Sequence, residues 1–123
     1  MEPLRILVTS TVIIAIAALG GLVMAGMRFA GKDFPPTGLA MLHGVLAAAA
    51  ITLLIYSAAT IGLSGLAIAA ILLFVVAAAG GVFMNLSYHW KHRPLPKGIV
   101  VIHALVAVVG FVLLIVATVT ARA

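Results

Sequence analysis

Four apolar runs, each about twenty residues long or longer, leave this chain few ways to fold. They cover residues 7–27, 39–60, 63–86 and 99–119. At 1.5 Å of helical rise per residue, each is long enough to cross a hydrocarbon layer of about 30 Å. The rest of the composition agrees. The chain is 66% hydrophobic and 7% charged, whereas a soluble domain carries roughly a quarter charged residues. The expectation is a single membrane domain over residues 1–123, an all-α, up-down, transmembrane four-helix bundle. The first run is longer than the apolar part of a signal peptide, lacks a clear small-x-small cleavage site and has a counterpart at 67–87, so it is read as a helix.

The runs also repeat. A shift of 60 places Gly20-Gly21 on Gly80-Gly81, Met24 on Met84, Pro36 on Pro96, Gly38 on Gly98, His43 on His103 and Ala47 on Ala107. Apolar bias alone does not keep Gly, Pro, Met and His in register. The pattern reads as a duplicated helical hairpin. Repeat 1 is 1–60, with helices at about 7–27 and 39–60. Repeat 2 is 61–120, with helices at about 63–86 and 99–119.

The hairpin turns contain Pro35-Pro36 and Pro94-Leu95-Pro96, which stop a helix, while the link between the hairpins is short and uncharged. Arg28, Lys32, Lys91, Arg93 and Lys97 fall at the two hairpin turns, against Arg5 and Arg122 at the other end. That bias predicts a cytoplasmic (inner) membrane protein with both hairpin turns in the cytoplasm and both termini on the opposite side. Tyr88 and Trp90 fit interfacial anchors on the same face. The net charge of +5 is thereby a matter of topology, and nucleic acid is not implied. No cysteine is present, so disulfides, thiolate chemistry and thiolate-held iron–sulfur clusters are excluded. The only carboxylate side chains, Glu2 and Asp33, lie outside the spans, which leaves no paired-carboxylate hydrolase and no carboxylate proton relay.

Two polar residues stand inside the spans at matched positions. His43 and His103 each follow the glycine that opens the helix by five residues, roughly 7 Å in. Helices 2 and 4 are diagonal in an up-down bundle, so the two imidazoles reach inward from opposite corners. A metal shared between them is the sharper reading; interhelix hydrogen bonding is the plainer one. Counting outward from the turns sets Met24 and Met84 level with the histidines, with Gly20, Gly21, Gly80 and Gly81 one layer deeper. Ala47 and Ala107 lie one turn below each histidine. This pattern suits one flat macrocycle, with glycine admitting close approach and methionine packing around it. Arg28 is the first choice to pair with propionates, followed by Lys91, His92 and Arg93. His89 and His92 have no counterparts in repeat 1 and form a possible secondary site for a metal or a quinone.

In these residues the chain resembles small membrane b-type cytochromes of cytochrome b561-like and cytochrome b-like architecture. The resemblance covers the two hairpins, with His43 and His103 as ligands and the four glycines as porphyrin-facing positions. It implies one haem b per chain, bis-histidine ligation and one-electron transfer with a quinone or a partner redox subunit, or within a homo-oligomer. Diheme members carry two histidine pairs, whereas one intramembrane pair is present here. Other readings remain open: a chlorophyll-type pigment held by outward-facing histidines, a haem or metal transporter or sensor, and a structural accessory subunit. Electron transfer is favoured over a stand-alone enzyme.

Overall fold

The computed structural model of the protein describes residues 3–121. Arg122 and Glu2, which entered the charge argument, lie outside the described residues. Four helices follow one another: α1 (Pro3–Phe29), α2 (Thr37–Thr60), α3 (Gly65–Met84) and α4 (Lys97–Thr120). A π-helical turn, Asn85–His89, continues α3. All four are long and apolar enough to cross a membrane, α3 together with its π-turn. In lipid every backbone N–H and C=O needs an internal partner, which a helix supplies within its own segment. The protein is a multi-pass membrane protein.

The helix ends follow local chemistry. Proline precedes α2 and α4 at Pro36 and Pro96, both with extended ψ, where a missing N–H costs nothing. Ser64 caps α3, its hydroxyl accepting from Ala67 N at 3.3 Å. α1 begins four residues before its apolar run, because Pro3 suits a first helical position and Arg5 lies exposed at the end of the span.

The helices pack as two hairpins, α1–α2 and α3–α4. The hairpins meet through α1 with α4 and α2 with α3, while α1/α3 and α2/α4 are diagonal. Leu19, Leu22, Leu42, Leu72, Ile102 and Leu105 point outward and are each more than half exposed, as residues facing lipid do.

Packing is confined to one half. Every buried helical residue lies at or before Ala17 in α1, at or after Ala50 in α2, at or before Ala77 in α3, and at or after Gly110 in α4. Leu7, Ile14, Leu54, Ile71, Phe74 and Leu114 fill this closed half. Ser10 and Ser57 are fully buried there with no hydrogen-bond partner, and Thr11 meets Thr118 across α1 and α4 at 3.0 Å. From that floor to the hairpin turns, α1 to α4 have no fully buried residue. The half bearing the termini is the more tightly packed, with an open cleft lined by Pro3, Leu7, Leu63, Ala117 and Thr120 at its outer edge, and the half bearing the turns is loose.

Candidate functional site

His43 and His103 lie in the loose half, both half-buried, on the diagonal helices α2 and α4. Their ring centroids are 6.2 Å apart and the ring planes are inclined by 66°. The two imidazoles face one another across the space between the hairpins.

Each ring is held by one backbone atom. His43 Nδ1 lies 2.7 Å from the carbonyl oxygen of Ala17. His103 Nδ1 lies 2.9 Å from that of Ala77. A carbonyl oxygen only accepts, so Nδ1 carries the proton in both rings. A neutral imidazole has one N–H, and Nε2 is therefore left with its lone pair free. This is the arrangement of a metal-binding histidine, whose other nitrogen donates to a carbonyl and fixes the tautomer.

The glycines explain how the ring reaches that carbonyl. Within α1 the oxygen of Ala17 sits below Gly21, four residues on, and a side chain at that position would cover it. A Cβ built on Gly21 would stand 3.0 Å from His43 Cε1 and 3.4 Å from Nδ1. On Gly81 it would stand 3.4 Å from His103 Cε1. Gly80 is 3.8 Å from His103 Nδ1 on the same measure, and Gly20 instead approaches Leu39 at 3.9 Å. Gly21 and Gly81 thus stand against the imidazoles, the layer that the count from the turns sets one step deeper than Met24 and Met84.

Met24, Met84, Ala47 and Ala107 are half-buried in the same half of the bundle. The floor beneath differs between hairpins. Phe74 packs against Gly110, where an added Cβ would meet Phe74 Cε1 at 3.1 Å. Sixty residues earlier the corresponding positions hold Ile14 and Ala50, both buried.

The turns clasp one another above the histidines. Leu95 N donates to Asp33 O at 2.9 Å. Arg28 donates from Nε to Leu95 O at 2.6 Å and from Nη1 to Lys32 O at 3.3 Å. The guanidinium expected to pair with propionates is therefore engaged with two loop carbonyls. Arg93 is exposed. His89 and His92 both pack on Phe34, with centroids at 5.4 and 5.5 Å. His89 is buried, and its Nε2 lies 3.3 Å from the hydroxyl of Thr37. The π-turn, closed by Trp90 N donating to Asn85 O at 2.8 Å, turns His89 inward, whereas Phe29 at the matching place is half exposed. No helix-propensity signal in the sequence marks that turn. Among the described residues, no three His, Asp or Glu side chains gather in one place.

The chain matches no family model, no curated protein and no solved structure. The reading of the site rests on its geometry.

Proposed function

We propose that this protein is a membrane-embedded b-type cytochrome that holds one haem between His43 and His103 and exchanges single electrons. The observation that carries the reading is the pair of opposed imidazoles, each with Nδ1 committed to a carbonyl and Nε2 free. The spacing fits. His43 and His103 would hold the iron through their free Nε2 atoms, and ring centroids 6.2 Å apart are close enough for both to reach one metal. The donor set fits as well. Two imidazoles alone leave a free ion short of ligands, whereas a metal already held by a macrocycle needs only two more.

Bound haem supplies a reversible one-electron couple whose potential follows axial ligation, burial and nearby charge. The chain does the rest. Ala17 and Ala77 orient the rings, Gly21 and Gly81 make room for them, and the packed half below separates them from the terminal end. Held by both His43 and His103, the group would supply electron exchange rather than gas binding. A pigment held by outward-facing histidines is disfavoured by the inward pairing of the rings. We further infer an origin by hairpin duplication, supported by the two His–carbonyl bonds sixty residues apart, and an orientation with the basic hairpin turns in the cytoplasm. A quinone or a redox subunit would be the exchange partner.

The test is a reduced-minus-oxidised absorbance spectrum of the purified protein with His43→Ala and His103→Ala. Low-spin b-haem bands lost in either variant are expected. A spectrum without haem bands, or one indifferent to both substitutions, sinks the proposal.

A further inference from the structure

The two ends of the bundle differ in charge as well as in packing. The end with the hairpin turns carries Arg28, Lys32, Lys91, Arg93 and Lys97 against one carboxylate, Asp33. Lys32, Lys91, Arg93 and Lys97 are exposed, as is Trp90 at 73%. These cations are not on independent loops. The bonds from Leu95 to Asp33 and from Arg28 to Leu95, with the Phe34–His89 stack and the Thr37–His89 contact, join both turns into one cap. Lys97 is placed in turn by Phe29, its Nζ 5.4 Å from the ring centroid.

The cap is also the near side of the site. His43 lies six residues into α2 and seventeen from its end, or about 9 Å from one face and about 26 Å from the other at 1.5 Å per residue. The longer path runs through the packed half. Electrons entering or leaving the histidine layer have their short route through the cationic cap.

We propose that this cap is the docking face for an acidic one-electron carrier protein, an inference that rests on the cytochrome reading. A fixed cationic surface steers an anionic partner and sets its orientation, whereas anionic lipid headgroups require no fixed shape. The exchange is one electron: the carrier is oxidised by one as the site is reduced by one, with no bond or proton moved.

The experiment uses the haem-loaded full chain in phosphatidylcholine nanodiscs. Its reduced form is mixed in stopped flow with hexacyanoferrate(III), an anion, or hexaammineruthenium(III), a cation, at low and high salt. The anion's rate should fall about tenfold or more as salt rises, while the cation's rate rises. Lys32→Gln combined with Lys97→Gln should lower the anion-to-cation ratio severalfold at low salt with the haem bands unchanged. Salt-independent rates with bands present overturn this inference alone. So does a double variant that sheds co-purified anionic phospholipid while its rates stay unchanged, which would make the cap a lipid-binding face. Absence of haem bands overturns the cytochrome reading and this one with it.

Discussion

Gly21 and His43 compete for one space: the Cβ that Gly21 lacks would stand 3.0 Å from Cε1 of the imidazole. Gly21→Ala therefore makes the ring give by a few tenths of an ångström, against its bond to the Ala17 carbonyl. Overpacking of this kind costs about 1–3 kcal/mol, offset by about 1 kcal/mol from the better helix former. At Gly81 the same Cβ meets His103 at 3.4 Å, and at Gly26 it meets nothing within 4 Å. On the cytochrome reading, the expected order of haem retention during detergent washing, highest first, is Gly26→Ala, then Gly81→Ala, then Gly21→Ala. Equal retention in all three would show that the close approach carries no constraint.

The floor of the open half offers a paired test. Gly110→Ala drives a methyl against Phe74 Cε1 at 3.1 Å and Leu73 Cβ at 3.3 Å, at a cost of about 1–3 kcal/mol. Phe74→Ile alone empties space beside a glycine and destabilises too. Combining them recreates the Ile/Ala pair of the first hairpin. The double variant should recover about 1 kcal/mol or more relative to the sum of the singles, read from thermal unfolding in detergent.

Ser10 and Ser57 are buried completely, and neither hydroxyl has a partner. An unpaired buried hydroxyl is a cost without a return. Ser10→Ala and Ser57→Ala are each expected to be neutral or to stabilise by about 1 kcal/mol. A loss above about 1 kcal/mol in either would mean that the hydroxyl is satisfied.

Arg28 ties the turns through Nε and Nη1 together. Lysine presents a single point of donation and cannot span both carbonyls. Arg28→Lys should thus behave like Arg28→Gln, with tryptic cleavage after Lys91 accelerated severalfold in both. Cleavage at the parental rate in the lysine variant would assign the clasp to charge alone.

Much of this architecture is legible in the sequence, and the reasons are specific. The spans are visible because a membrane demands unbroken apolar length, and His43 and His103 stand out because nothing else polar and titratable lies so far inside them. The carbonyl partners are invisible, since every residue has a carbonyl and only the fold decides which one is uncovered. The role of Gly21 follows from that hidden acceptor. Arg28 was expected to hold propionates because arginine near a membrane surface does so; its engagement with Leu95 and Lys32 depends on how two loops meet. The π-turn at Asn85–His89 has no compositional mark. Its effect, burying His89 where the first hairpin shows Phe29, emerges only in three dimensions.

The division of the bundle at the Ala17–Ala50–Ala77–Gly110 level separates two tasks along the membrane normal. Cohesion resides in the terminal half, where Leu54 and Leu114 are fully enclosed, and so does not depend on what occupies the histidine end. If it holds the proposed haem, a chain built this way would be inserted, folded and held in the bilayer before that group arrives. On the cytochrome reading, maturation would then be a local event at the histidine layer between two finished hairpins, instead of a step on which folding itself waits.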